Sequence, residues 1–441
     1  MTDSWRLDIL PCEILLAIFD YCDVIDLLRI SQVCKRFNEI IHTDGIWVKK
    51  SNRSIVTNQI SERFRKICNP ILLPRNKCFV SYNWQYGKYK KNFIFYKRRI
   101  LMPWLQMTKE MLWWCGGNNF VGIERRDQLT QKNRDESFSS HNLMYMPKEF
   151  SKFVLWKNFI ISGHSDGRII YWLDTSCKTG PRLRILTSVK NVHPSYISAI
   201  DATSRNVISA SHSMIRIQKN ISTLAEQLDE QSANHHSKSG VCIGIKDRVQ
   251  SLAIDPTETK FAVGSGGWTD FPPLHIIDIN KHHMSAMVHK WRHGAGILDM
   301  VWDNPHTLLT CGYDSHIRKW DLRVGKCVSS WADPNDATLY CISSDYQYTM
   351  ITGTQYTEMA VLWDQRQRNF VQVYYVNPRS AFRSSPIYSL RFDSSHLYCA
   401  MDRYLVELNF SDHLCQKNDY KMLYNLYDRN CEKQMRTRRA R

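Results

Sequence analysis

The sequence predicts a mainly β chain with a small α domain: three N-terminal helices, then a seven-bladed propeller of four-stranded units. Two observations predict it. Residues 297–322 read as three short strands joined by Gly/Asp turns, and the pattern recurs along the chain at steps of 43 to 59 residues. The first 50 residues instead carry apolar side chains at helical spacing.

The repeat is the better defined. In ILDMVWDNPHTLLTCGYDSHIRKWDL, Asp314 occupies a turn and Trp320-Asp321 closes the third strand. A turn Asp can fix a strand connection by accepting hydrogen bonds. The Trp buries a large ring while its N–H reaches a partner. Asp166 to Trp172 repeats the spacing, and Trp363-Asp364 follows 43 residues after Trp320. Weaker copies place Ile123, Gln218, Ile277 and Leu408 where the Trp stands, giving steps of 49, 46, 59, 43, 43 and 45 residues. This is the WD-repeat signature, with an insertion at 222–240 in the long step. A two-sheet sandwich has no such period.

Residues 5 to 50 are helical. Pro11 can open the first helix, with Glu13 in its positively polarised first turn. Leu10, Ile14 and Ile18 share one face, and Leu15 and Phe19 another. Asp23 to Ser31 reads as a second helix carrying Leu27 and Leu28, and Val33, Phe37, Ile40 and Ile41 mark a third before Trp47. Three short helices cannot bury this many apolar faces among themselves, so one face should dock on something else.

The divisions that follow are 1–50, 51–100, 101–411 and 412–441. The second is a basic connector: residues 47–99 hold fourteen Lys and Arg against Glu62 alone. ISERFRKICN reads as a further helix, and Asn92 to Tyr96 as a strand completing the last blade and removing a sheet edge. Tyr82, Trp84, Tyr86, Tyr89 and Phe93 interleave with the charge. Residues 127–149 and 176–182 read as polar loops, and 412–441 as a basic tail. The formal charge of +17 thus sits in connector and tail, not in the propeller.

Several functions are not indicated. The chain shows no phosphate-binding loop, nucleophile elbow or zinc-protease motif. Asp166, Asp314 and Asp364 recur at blade positions, which makes them structural rather than acid–base pairs. His235 and His236 lack further ligands at metal spacing, so neither metal nor cofactor is expected. No apolar run reaches membrane length, and MTDSWRLDIL does not read as a signal peptide. The fourteen cysteines are scattered, and Cys34, Cys242, Cys311, Cys341 and Cys399 sit in apolar runs, as buried thiols of a cytoplasmic or nuclear protein would.

LPCEILLAIF, then DLLRISQVCKRF, then Trp47 resemble the F-box motif across residues 9 to about 50, with Phe37 where many members have Trp and Cys12 before the Glu. With the repeats, the chain resembles the F-box/WD-repeat family, and LLTCGYDSHIRKWDLR, ATLYCI, VLWDQRQR, SSPIYSLRF and MPWLQM are most similar to its dactylin branch. That resemblance implies a non-catalytic substrate receptor of a cullin–RING ubiquitin ligase. The F-box would bind the Skp adaptor through Leu10, Pro11, Ile14, Leu15, Ile18, Leu27, Leu28, Val33 and Trp47, and through it cullin and RING subunits. Target binding is expected at Tyr196, Trp268, Phe271, Tyr340 and Tyr388, with Arg248 and Arg391 contacting an acidic segment. The turn GGWTDFPP is longer than strand connection requires and carries two aromatics. Two other readings stand beside this one: a WD scaffold outside any ligase, and a nucleic-acid binder acting through the connector.

Overall fold

A computed structural model describes residues 7–125, 140–175, 183–221, 240–286, 291–355, 358–376, 385–411, 416–418 and 420. Seven antiparallel sheets stand around one axis. Their first strands touch in sequence, and the first strand of the last sheet touches that of the first, closing the ring.

The seven positions aligned by period are structurally equivalent. Ile123, Trp172, Gln218, Ile277, Trp320, Trp363 and Leu408 all lie on third strands. Each pairs with the second residue of the preceding strand: Leu112, Ile160, Val207, Phe261, Leu308, Met350 and Leu397. All but Gln218 are apolar, and all are buried. The insertion at residues 222–239 and the loop at 176–182 lie outside the described residues. The expected loop at 127–149 is corrected in part: Ser140–Tyr145 is the fourth strand of blade 1. A fourth strand is outermost, so it needs no apolar run to announce it.

The strand Lys88–Tyr96 pairs with Tyr404–Asn409 and completes blade 7, four residues longer at its start than Asn92 to Tyr96. Chain regions over 300 residues apart thereby share one ladder.

The helical unit differs from expectation in detail. A 3₁₀ turn (Leu7–Ile9) precedes four helices: α1 (Cys12–Tyr21), α2 (Val24–Ile30), α3 (Lys35–His42) and α4 (Asp44–Ser51). Trp47 therefore lies in a fourth helix. Val33 precedes α3, whose cap is Cys34, the sulfur accepting from Phe37 N at 3.4 Å. Asp23 caps α2, accepting from Asp26 N at 2.8 Å. Leu15, Phe19, Leu27, Phe37, Ile40, Ile41 and Trp47 form the core.

The connector is packed structure. Only Glu62–Arg65 of ISERFRKICN is helical (α5), because the chain turns away at Lys66 to lie against the propeller. A longer helix, α6 (Pro74–Gln85), was not legible in the sequence. Cys78 belongs to the helical unit's core, whereas Val80 and Trp84 belong to the core of blades 6 and 7. Buried on two sides by two different partners, α6 shows no single apolar stripe. Around it the connector meets one end of the ring. Arg63 donates to Trp302 O at 2.8 Å and Val56 N to Thr349 Oγ1 at 2.7 Å. Asn58 reaches Asp345 at 3.2 Å, and Arg125 on blade 1 donates to Ile67 O at 2.6 Å. All these propeller atoms lie at the first-to-second or third-to-fourth strand ends of their blades.

Every described cysteine is free. Cys311, Cys341 and Cys399 are buried, but Cys34 is half-buried and Cys242 exposed, because its strand is outermost in blade 3. No helix among the described residues is long and apolar enough to cross a membrane.

Candidate functional site

On α1, Ile14, Ile18 and Tyr21 point away from the core, at 47%, 39% and 92% exposure. Pro11 is exposed in line with them. Leu7 and Ile9 extend the stripe, and Val33, 71% exposed, stands at the start of the α3 segment. Arg36 fastens these parts together, donating to Leu10 O at 2.6 Å and to Asp8 O. Of the other expected adaptor residues, Leu10 and Leu28 are half-buried. Leu15, Leu27 and Trp47 lie inside the core, with Trp47 Nε1 donating to Ile41 O at 2.6 Å. These three shape the surface without being part of it. Leu7, Ile9 and Tyr21 were missed: the first two precede the motif, and the third follows the last apolar spacing counted.

The repeat positions hold the blades. Trp172 Nε1 donates to Ser162 Oγ at 2.8 Å, Trp320 to Thr310 Oγ1 at 2.9 Å and Trp363 to Thr352 Oγ1 at 3.0 Å. Ser162 also meets His164 Nε2 at 3.0 Å, and burial pushes that imidazole down to about 4. Asp166 pairs with Arg168 at 2.6 Å and Asp314 with Arg318 at 2.5 Å, both in second-to-third strand turns. Asp321 and Asp364 sit at the opposite strand end, paired with Arg323 at 2.6 Å and Arg366 at 2.8 Å. The hydrogen bond from Arg323 holds Asp321 down at about 2. Among the described residues no group of three or more His, Cys, Asp or Glu is placed to hold a metal.

The expected target residues fall in two places. The first is a rim formed by turns on the side of the ring away from the connector. Trp268 is 61% exposed, yet its backbone is fixed at both ends: its N–H donates to Asp247 Oδ2 at 3.1 Å, and its carbonyl meets His293 Nε2 at 2.9 Å. His293 also stands edge-on to the indole at 5.5 Å. Phe271 is exposed, with Lys246 Nζ 4.1 Å above its ring. Arg248 is exposed beside Asp247, and Tyr196 is half-buried, its phenol raised by burial against the opposing effect of Arg248.

The second place is the central channel. Tyr340 and Tyr388, near the starts of their first strands, meet edge-to-face at 5.5 Å. Arg391, three residues beyond Tyr388, lies 5.6 Å over the ring of Trp104, and Lys152 Nζ stands 4.5 Å from the same ring. Burial raises Asp299, against the pull of Lys152 and Arg391. Arg391 therefore turns into the channel rather than onto the rim. Lys152, Trp104, Lys246 and His293 were missed; a lysine within the strand FSKFVLW was the one available signal.

The connector's aromatics divide between buried and exposed positions. Trp84 and Tyr89 are buried, and Lys88 covers Tyr82 at 4.8 Å. Tyr86 and Phe93 remain exposed.

Residues 7–53 match the F-box-like family. The chain is 30% identical over 420 residues to human F-box/WD repeat-containing protein 4, covering 92% of this chain and 93% of that one. The mouse protein of the same name matches equally, at 30% over 420 residues. Mitotic checkpoint protein BUB3.3 of Arabidopsis thaliana is 28% identical over 124 residues, 28% of this chain and 37% of that one. With a helical F-box, seven blades and a relative matched almost end to end, this chain belongs to the F-box/WD-repeat family.

Proposed function

We propose that the chain is a substrate-recognition subunit of an SCF-type cullin–RING ubiquitin ligase. The observation that carries this reading is the placement of two surfaces. The uncovered apolar stripe of Ile14, Ile18 and Tyr21 belongs to a unit fastened at one end of the ring, and Trp268 and Phe271 stand at the other. The stripe docks on the Skp adaptor and brings in cullin and RING subunits. The rim around Trp268, with Arg248 and Tyr196, holds a protein target. The chain supplies no catalytic group. It raises the concentration of target lysines near the charged conjugating enzyme, an effect of proximity. The free thiols favour a reducing compartment, cytoplasm or nucleus.

Exposed apolar side chains on a stable helix are suited to docking because their loss leaves the fold intact. Replacing Ile14 and Ile18 with Ser should abolish Skp capture while the melting temperature stays within about 2 °C, a small effect by the scale of domain unfolding. Retention of Skp by that variant removes the ligase reading.

A further inference from the structure

In the connector, residues 55–60 and 69–73 lie side by side, and one side chain joins them. Gln59 is buried, and its amide donates to Pro70 O at 3.2 Å and accepts from Leu72 N at 3.1 Å. Val56 and Gln59 take left-handed φ values of 65° and 53°, which a non-glycine residue keeps only where its surroundings hold it. Here Val56 N donates to Thr349 Oγ1 and Thr57 Oγ1 to Lys77 O, both at 2.7 Å. This rigid tie presents three large aliphatic side chains: Ile60 at 52% exposure, Ile71 at 46% and Leu73 at 70%. Leu72, between the last two, is buried in the core of blades 6 and 7. Single exposed apolar residues are ordinary, but three on one fixed tie form a patch.

Charge around the patch is mainly positive. Arg65, in α5, is exposed, and it adds to burial in pushing the Lys77 amine down from its ordinary range. Lys77 Nζ donates to Asn58 O at 3.0 Å, and Arg75 reaches His42 Nε2 at 2.8 Å. Glu62, the one carboxylate of residues 47–99, is engaged by Lys66 at 2.9 Å. The backbone beside the patch is occupied. Ile60 N donates to Asn58 Oδ1 at 3.1 Å, Pro70 O and Leu72 N meet Gln59, and Leu73 O accepts from Lys77 N at 2.9 Å. A partner therefore docks here through side chains and not by adding a strand.

We infer that Ile60, Ile71 and Leu73 form a docking site for an acidic amphipathic helix of a partner protein. Apolar side chains along one face of that helix cover the three aliphatics, and the Asp and Glu beside them meet Arg65, Lys77 and Arg75. A nucleic acid would meet the same charge, but aliphatic side chains give its bases no ring to stack on. The site is separate from the Trp268 rim and from the F-box stripe, and holds whether or not the chain serves a ligase.

The test uses the full chain and a fluorescein-labelled peptide of about 18 residues, long enough to form a helix, with Leu on one face and Glu elsewhere, read by anisotropy. Further arms are a scrambled peptide of the same composition, a labelled single-stranded oligothymidine, the variant Ile71→Ser with Leu73→Ser, and the variant Ile14→Ser with Ile18→Ser. Saturable binding is expected, weakened about tenfold or more by scrambling and by the Ile71/Leu73 substitution, and unchanged by the Ile14/Ile18 substitution, which alters only the F-box stripe. Absence of peptide binding, equal binding of the scrambled peptide, equal binding by the Ile71/Leu73 variant, loss of binding in the Ile14/Ile18 variant, or binding of the oligonucleotide with none of the peptide would each overturn the proposal. The scrambled arm leaves the protein unaltered, so a folding defect in a variant cannot imitate the result.

Discussion

Trp84 lies flat on Phe410, with ring centroids 3.6 Å apart and planes 14° from parallel, and its Nε1 donates to Ser394 O at 2.9 Å. Six residues earlier on the same helix, Cys78 is buried in the helical unit, its sulfur 3.8 Å from Trp47 O. One helix thus enters two hydrophobic cores. Stacked aromatics contribute through area and through ring geometry, and here they also set how the F-box is held against the ring.

Trp84→Ala should therefore do two things. It should cost about 3 to 5 kcal/mol, as for a buried aromatic leaving a cavity. It should also loosen the F-box from the propeller, read as new proteolytic cleavage within residues 51–87. A lowered melting temperature without new cleavage there would mean that the other connector contacts suffice.

Trp268 and Trp320 should behave oppositely. Trp320 is buried and donates to Thr310, so Trp320→Ala should cost about 3 to 5 kcal/mol. The Trp268 ring is exposed, and the bonds to Asp247 and His293 use its backbone, which alanine retains. Trp268→Ala should leave the melting temperature nearly unchanged and reduce target capture. A drop as large as that of Trp320→Ala would show the indole to be structural and sink the rim assignment.

His164 and His193 are buried, and burial pushes each down to about 4. The unfolded imidazoles bind protons near 6.5, so the neutral native form is favoured above that value. Stability from these groups is complete above about 6.5 and is lost as pH falls toward 4. Imidazole NMR resonances should titrate with midpoints near 4. Midpoints near 6.5 would mean that these side chains reach water.

Arg125 and Asp393 form a buried ion pair between blade 1 and blade 7. Burial alone would raise Asp393, but His396 and Arg125 hold it at about 2. Its contribution is present above the ordinary carboxylate range near 3.9 and is lost as pH falls toward 2. Arg125→Met leaves the carboxylate in place with one counter-charge fewer and should cost about 3 to 5 kcal/mol in urea unfolding at pH 7. A cost below about 1 kcal/mol would show that His396 is a sufficient partner.

The blades were legible because their signal is local. A strand–turn–strand unit needs its apolar alternation and its turn residues within a few dozen positions, and the chain repeats that need seven times. Ile277 and Leu408 could therefore be aligned with Trp320 without a Trp of their own. The F-box stripe was half legible. The spacing placed Ile14 and Leu15 on different faces, but periodicity cannot say which face the core takes and which is left for a partner.

What the tertiary structure alone decided are relations between distant parts of the chain. Helix α6 was invisible because its two apolar sides answer two cores, one of them closed by Phe410, more than 300 residues away. Arg391 and Tyr388 are three residues apart, yet the pleat and strand length send one into the channel and leave the other near its mouth. The sequence by itself determined the repeat and the helical unit. Which residues face water, which face one another, and that the F-box and the Trp268 rim stand at opposite ends of the ring follow from closing the sheet, since burial belongs to the assembled chain and not to any stretch of it.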